Sequence, residues 1–203
     1  MSTVQSKYLK DENGEVFSPV TSDTSVMLNG GSSLNEFLPK RYIISLDSSS
    51  STFQKTGINV SNWGLIKIYG NLKRSDDNGR ALYLELNGTT TTIQMTVDFR
   101  LSEAVQGYYA RAGTKNADLY LGDIYMPTNS SYVGVEIVRG NSNWHTFHSR
   151  IFSQSDESTT DGGVSLCGGQ FQQTLDTITS ISLKTSGTLQ GTAFIEIYPK
   201  VEN

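Results

Sequence analysis

Two histidines, His145 and His148, and one cysteine, Cys167, are the side chains of this sequence best suited to holding a metal or attacking a substrate. On a helix, a spacing of three would bring both imidazoles to one ion. Residues 144–152, WHTFHSRIF, instead alternate polar and apolar types, which predicts a strand, and an odd separation on a strand sends two side chains to opposite faces. His145 then falls with Phe147 and Ile151 on the apolar side, the usual setting of a hydrogen-bonded core histidine. Cys167 stands alone, so no Cys/His cluster completes a metal site and no intrachain disulfide forms. Asp11-Glu12-Asn13-Gly14 and Asp76-Asp77-Asn78-Gly79 share part of a calcium-loop pattern, but two residues before the first Asp of each stand Leu9 and Arg74, so both read as turns. The sequence has no Gly-x-Ser-x-Gly elbow, and Gly30-Gly31 and Gly168-Gly169 lack the Lys and Ser/Thr of a phosphate cradle. No acid stands on an evidently apolar strand face that would raise its pKa for general-acid work. The expectation is a non-enzymatic protein without metal or cofactor.

The constellation that remains is aromatic. Trp144, Thr146, His148 and Arg150 alternate onto the face opposite Phe147 and Ile151, forming a stripe with a flat ring, hydrogen-bond donors and a guanidinium. Three readings compete for it: a contact between subunits, a glycan site in which a sugar face stacks on the ring, or the inner face of a second sheet. Tyr108 and Tyr109, with Arg111, form a second recognition candidate, since exposed tyrosines contribute contact area at low entropic cost.

The elements that position these residues follow from period-two patterning. Tyr42, Ile44 and Leu46 share a face. Residues 65–69 lead into the turn cluster at Asp76-Asp77-Asn78-Gly79 and return as Ala81-Leu82-Tyr83-Leu84-Glu85-Leu86, which predicts a hairpin with Leu82, Leu84 and Leu86 on one side. Asn87-Gly88 turns the chain again into alternating Ile93, Met95, Val97 and Phe99, extending the hairpin to a meander. Residues 100–116 stay unassigned, with a helical turn near Leu101 and a loop at Gly107-Tyr108-Tyr109 both open. Strands are expected at 119–126, 132–139, 144–152, 178–185 and 192–198, the last two as a closing hairpin, for about ten strands in all. The architecture this implies is all-β, an antiparallel sandwich or jelly roll over residues 40–203, preceded by an extended N-terminal arm and a short helix over residues 1–39.

Composition agrees. The 203 residues are 36% hydrophobic and only 18% charged, with Ser, Thr, Gly and Asn at positions a helical protein gives to Glu, Lys and Ala. A net charge of −4 supplies no basic field, so nucleic acid is not an expected partner. No apolar run approaches the ~18 residues of a membrane span, the N-terminus does not read as a signal peptide, and the lone cysteine suits a reducing compartment. Neither membrane insertion nor signal-directed export is expected.

The arm itself is polar and interrupted by turns, yet carries recurring apolar residues: Tyr8, Leu9, Val16, Phe17, Val20, Val26, Met27 and Leu28. Its last part, Ser33-Leu34-Asn35-Glu36-Phe37-Leu38-Pro39, has a capping Ser answered by Glu three residues on, predicting one or two helical turns with Leu34, Phe37 and Leu38 as an apolar stripe. The runs Tyr8-Leu9-Lys10-Asp11-Glu12-Asn13-Gly14, Phe17-Ser18-Pro19-Val20-Thr21 and Leu28-Asn29-Gly30-Gly31-Ser32-Ser33-Leu34 resemble the arm that begins many small structural proteins of tailed bacteriophages and prophages. In a head-fibre, tail-fibre or baseplate receptor-binding protein, that arm attaches to the virion and a β-rich knob follows. The resemblance implies attachment to other virion proteins through Tyr8, Leu9, Val16, Phe17 and Pro19. It implies a homotrimer, for which Leu34, Phe37 and Leu38 are the candidate contact, and a knob that binds a host-surface glycan. It also implies a place on the virion surface after assembly in the bacterial cytoplasm. Two other functions fit the same residues: a carbohydrate-binding module or carbohydrate-active enzyme, and a capsid decoration protein without a specific receptor.

Overall fold

The computed structural model describes residues 38–47, 50–74, 81–88, 91–102, 106–124, 130–141, 143–153 and 163–200, with the backbone alone for 91–102 and 106–117. Fourteen strands lie within them. They are β1 (Lys40–Asp47), β2 (Thr52–Lys55), β3 (Val60–Ser61), β4 (Trp63–Arg74), β5 (Ala81–Leu86), β6 (Thr91–Ser102), β7 (Gln106–Ala117), β8 (Leu119–Asp123), β9 (Ser131–Arg139), β10 (Trp144–Ser153), β11 (Gly163–Gln172), β12 (Thr177–Ile178), β13 (Ile181–Thr185) and β14 (Leu189–Pro199). The chain divides into Met1–Pro39 and Lys40–Asn203, and every strand belongs to the second part. The attachment residues Tyr8, Leu9, Val16, Phe17 and Pro19, and Leu34 and Phe37 of the expected helix, lie outside the described residues. Leu38 is described and is exposed.

The fold is all-β and antiparallel, as the alternation implies. One sheet has eight strands in the order β1-β14-β4-β9-β10-β11-β6-β7, a second has four in the order β2-β13-β5-β8, and β12 and β3 pair as a ribbon. The long sheet is open, ending at β1 and β7. Strand alternation explains what each sheet buries. In β10 the buried residues are His145, Phe147, Ser149, Ile151 and Ser153, each separated by an outward-facing neighbour. Between the sheets, Ile66, Ile68, Leu72, Ile195 and Ile197 from β4 and β14 share one core with Leu82, Leu84, Leu86, Leu119 and Leu183 from the smaller sheet. Each such side chain contributes about 1.5–3 kcal/mol through burial, which is what holds two sheets together without a disulfide. Two hydrogen bonds tie strands β8, β10 and β11 between the layers: the Ser149 hydroxyl donates to the Leu121 carbonyl, and the Asp123 N–H donates to Ser165 Oγ at 3.2 Å.

Two expectations are corrected, and one unassigned stretch is settled. Strands β4, β5 and β6 are not a meander, because β4 pairs with β14 and β9, β5 with β13 and β8, and β6 with β11 and β7. The chain therefore crosses from the long sheet to the short one and back. Alternation reports that one face of a strand is buried and is blind to which sheet the strand joins. Likewise β13 and β14 are not a hairpin but sit in different sheets. Residues 106–117, open to a loop reading, form the edge strand β7. The Asn87-Gly88 turn does form, with φ of 55° and 67°, the left-handed pair such a turn requires. It is pinned by Asn87 itself, whose Nδ2 donates to the Thr177 carbonyl at 2.7 Å while its Oδ1 accepts the Thr179 N–H at 2.8 Å.

Candidate interaction face

The buried residues of β10 fix the orientation of those between them. With His145, Phe147 and Ile151 turned into the core, Thr146, His148, Arg150 and Phe152 stand exposed and Trp144 half-buried on the outer face of the long sheet. The two histidines are thus on opposite faces. His145 is a core residue: its Nε2 lies 2.9 Å from the Gln173 carbonyl, its ring packs 5.3 Å from Trp63 and 5.2 Å from Phe171, and burial holds its pKa below the ordinary imidazole value. Trp63 closes the same end of the core, its indole N–H donating to the Leu175 carbonyl at 2.6 Å under the Arg139 guanidinium.

Strand register sets the outer face out in rows. One row is charged: Arg41, Glu196, Lys67, Glu136 and His148 lie side by side on β1, β14, β4, β9 and β10. Arg41 pairs with Glu196 at 3.0 Å, and Glu136 lies 3.6 Å from Lys67 and 3.4 Å from His148. Glu196 is the most enclosed of them. The Tyr198 hydroxyl, donating at 2.7 Å, is the chief cause holding its carboxyl below the usual carboxylate value, with Tyr69 at 3.2 Å and Arg41 adding to it. The next row reads Ile43, Phe194, Tyr69, Gly134, Arg150 and Leu166. Phe194 stacks on Tyr69 at 5.6 Å, and Gly134 is covered by its neighbours: a Cβ there would stand only 3.1 Å from the Tyr132 ring and 3.2 Å from Arg150 Nε. A third row carries Tyr132 beside Phe152, ring centres 6.4 Å apart.

Of the eight large apolar side chains that stand exposed among the described residues, at 36–54% of their full accessibility, seven lie on this face. Scattered exposure needs no explanation, but concentration on one sheet face marks a contact surface. Trp144, His148 and Arg150 are all on it, with Trp144 toward one end, roughly 13 Å from His148 at strand rise. Tyr108 and Tyr109 are in β7, opposite Phe99 and Asp98, three strands away at the sheet's far edge. The sequence reading missed Ile43, Tyr69, Tyr132, Phe152 and Phe194. Their signal was present: each sits beside a core residue, as Phe152 beside Ile151, so both parities of these strands are apolar where a solvated strand has one.

Elsewhere on the small sheet, Lys184 lies 2.5 Å from Glu85 and 3.4 Å from Asp118, and the Glu85 bond foremost raises its pKa. Among the described residues no three of His, Cys, Asp and Glu come together as a metal site. Comparison with known families, curated proteins and solved structures finds no match.

Proposed function

We propose that the chain is a non-enzymatic structural protein of a tailed bacteriophage, attached to the virion through residues 1–39 and presenting its β-domain on the particle surface. The observation that carries this reading is the outer face of the long sheet, an exposed surface of aromatic, aliphatic and paired charged side chains built for contact rather than for enclosing a small substrate. The arm resemblance, on residues immediately before β1, supports the virion setting. In this reading the domain is an adhesive knob: Trp144, at the end of the face, meets a host-surface glycan by ring stacking, and the β7 edge that carries Tyr108 and Tyr109 is the second candidate contact.

Adsorption of the purified full-length chain to host cells tests the adhesive role. Periodate oxidation of the cell-surface glycans is expected to abolish adsorption, and Trp144→Ala to weaken it by about tenfold or more, the loss of one buried aromatic contact. Equal adsorption by the folded variant and the parent, or indifference to periodate, contradicts it.

A further inference from the structure

The outer face of the long sheet has a regularity that a glycan would not use. Six strands with described side chains cross it in the order β1, β14, β4, β9, β10, β11, and its rows are complementary to themselves when reversed about the line between β4 and β9. A second copy turned by a twofold axis along that line, parallel to the strands, lays each row on the same row read backwards. In the charged row, Lys67 then meets Glu136, opposite charges, and the His148 imidazole comes to the strand position of the enclosed Glu196. In the next row, Tyr69 faces Gly134 and the Tyr132 ring that covers it, Phe194 faces the Arg150 guanidinium, and Ile43 faces Leu166. On the other side of the charged row, Leu65 faces Val138. No row sets like charges together.

We infer that this face is where two copies of the chain pair. Size fits: six strands at about 4.8 Å spacing and some ten residues at about 3.3 Å rise cover roughly 950 Å², somewhat above the ~800 Å² that one partner contributes to a stable interface. Burial of the charged row is inexpensive because its charges are already paired within each copy, Arg41 with Glu196 and Lys67 with Glu136, while Arg150 takes the Phe194 ring of the second copy as its partner. Phe194 over Arg150 supplies a cation–π contact and Tyr69 against the Tyr132 ring an aromatic contact, the types that dominate interface energetics. The inference stands on this face alone and is independent of any virion role.

Sedimentation velocity and native mass measurement of the full-length chain test it. A dimer is expected. Phe194→Glu and Leu166→Glu, both at exposed positions, are expected to keep the circular dichroism and melting temperature of the parent while raising the dimer dissociation constant by about 30-fold or more. Lys67→Glu and Glu136→Lys should each weaken pairing, and the double exchange should restore it. A chain that stays monomeric at all concentrations, as when a glycan or another protein covers the face, overturns the inference. So does a trimer, or a dimer that persists unchanged in both glutamate variants.

Discussion

His145 shows how a residue that looks chemical becomes structural. Its ring is sealed between Trp63 and Phe171 and hydrogen-bonded to the Gln173 carbonyl, and burial disfavours the imidazolium. The consequence is a pH dependence of stability with a definite sign. Because the folded-state pKa is depressed below the ordinary value near 6.5, the unfolded chain binds the proton more readily, and stability falls as pH drops through about 6.5 until the folded-state pKa is reached. His145→Gln should flatten this limb: melting temperatures of parent and variant, followed from pH 7.5 to 5, should converge as the pH falls. Parallel curves would show that His145 is not the titrating group. Glu196 works in the same sense over a more acidic range, although there it is the charged form that the fold favours. Its pKa is depressed chiefly by the Tyr198 hydroxyl, so its contribution is present above the ordinary carboxylate value and fades as pH falls through the depressed one.

At the scale of elements, the strands were legible and their partners were not. The alternation in 144–152 put His145, Phe147 and Ile151 on the buried face and Trp144, Thr146, His148 and Arg150 on the other, as observed, and the Leu82, Leu84 and Leu86 stripe is buried as its spacing requires. Sheet membership was hidden because the inner faces of both sheets are equally apolar, so β4 and β5 read as a hairpin although each belongs to a different layer. β11 escaped notice because Gly168-Gly169 interrupts its pattern, and β7 because Gly107 and Gly113 leave it without clear alternation. The interaction face was illegible for a related reason. Its rows exist only once register brings Ile43, Phe194 and Tyr69 side by side from strands far apart in sequence. One glycine in that register is under a strict demand. Gly191 has φ of +133°, and a Cβ there would press on the Asn71 carbonyl of β4 and come 3.3 Å from the Leu72 Cα. Gly191→Ala should therefore destabilise the domain by about 1–3 kcal/mol in urea unfolding, the cost of a strained backbone, with no route to relief by side-chain movement. An unchanged midpoint would mean that β14 can shift against β4 at no cost.

At the scale of the whole molecule, the described strands form an open antiparallel sandwich whose long sheet carries apolar and charged rows on its outer face, and the proposed attachment segment is the stretch of sequence before them. The twofold pairing inferred here and the homotrimer implied by the arm resemblance are separated by a single native mass. The adhesive and attachment roles are separable too, since one concerns Trp144 and the β7 edge and the other residues 1–39. The attachment role is the central one, and immunogold electron microscopy tests it most directly. It requires gradient-purified particles made by the genome that encodes this chain and an antibody raised to the protein. Gold is expected at one fixed place on intact particles, on head, tail or baseplate, and to disappear from particles made with a chain lacking residues 1–39. Unlabelled particles, with the chain recovered only from the soluble fraction of the lysate, would contradict the account.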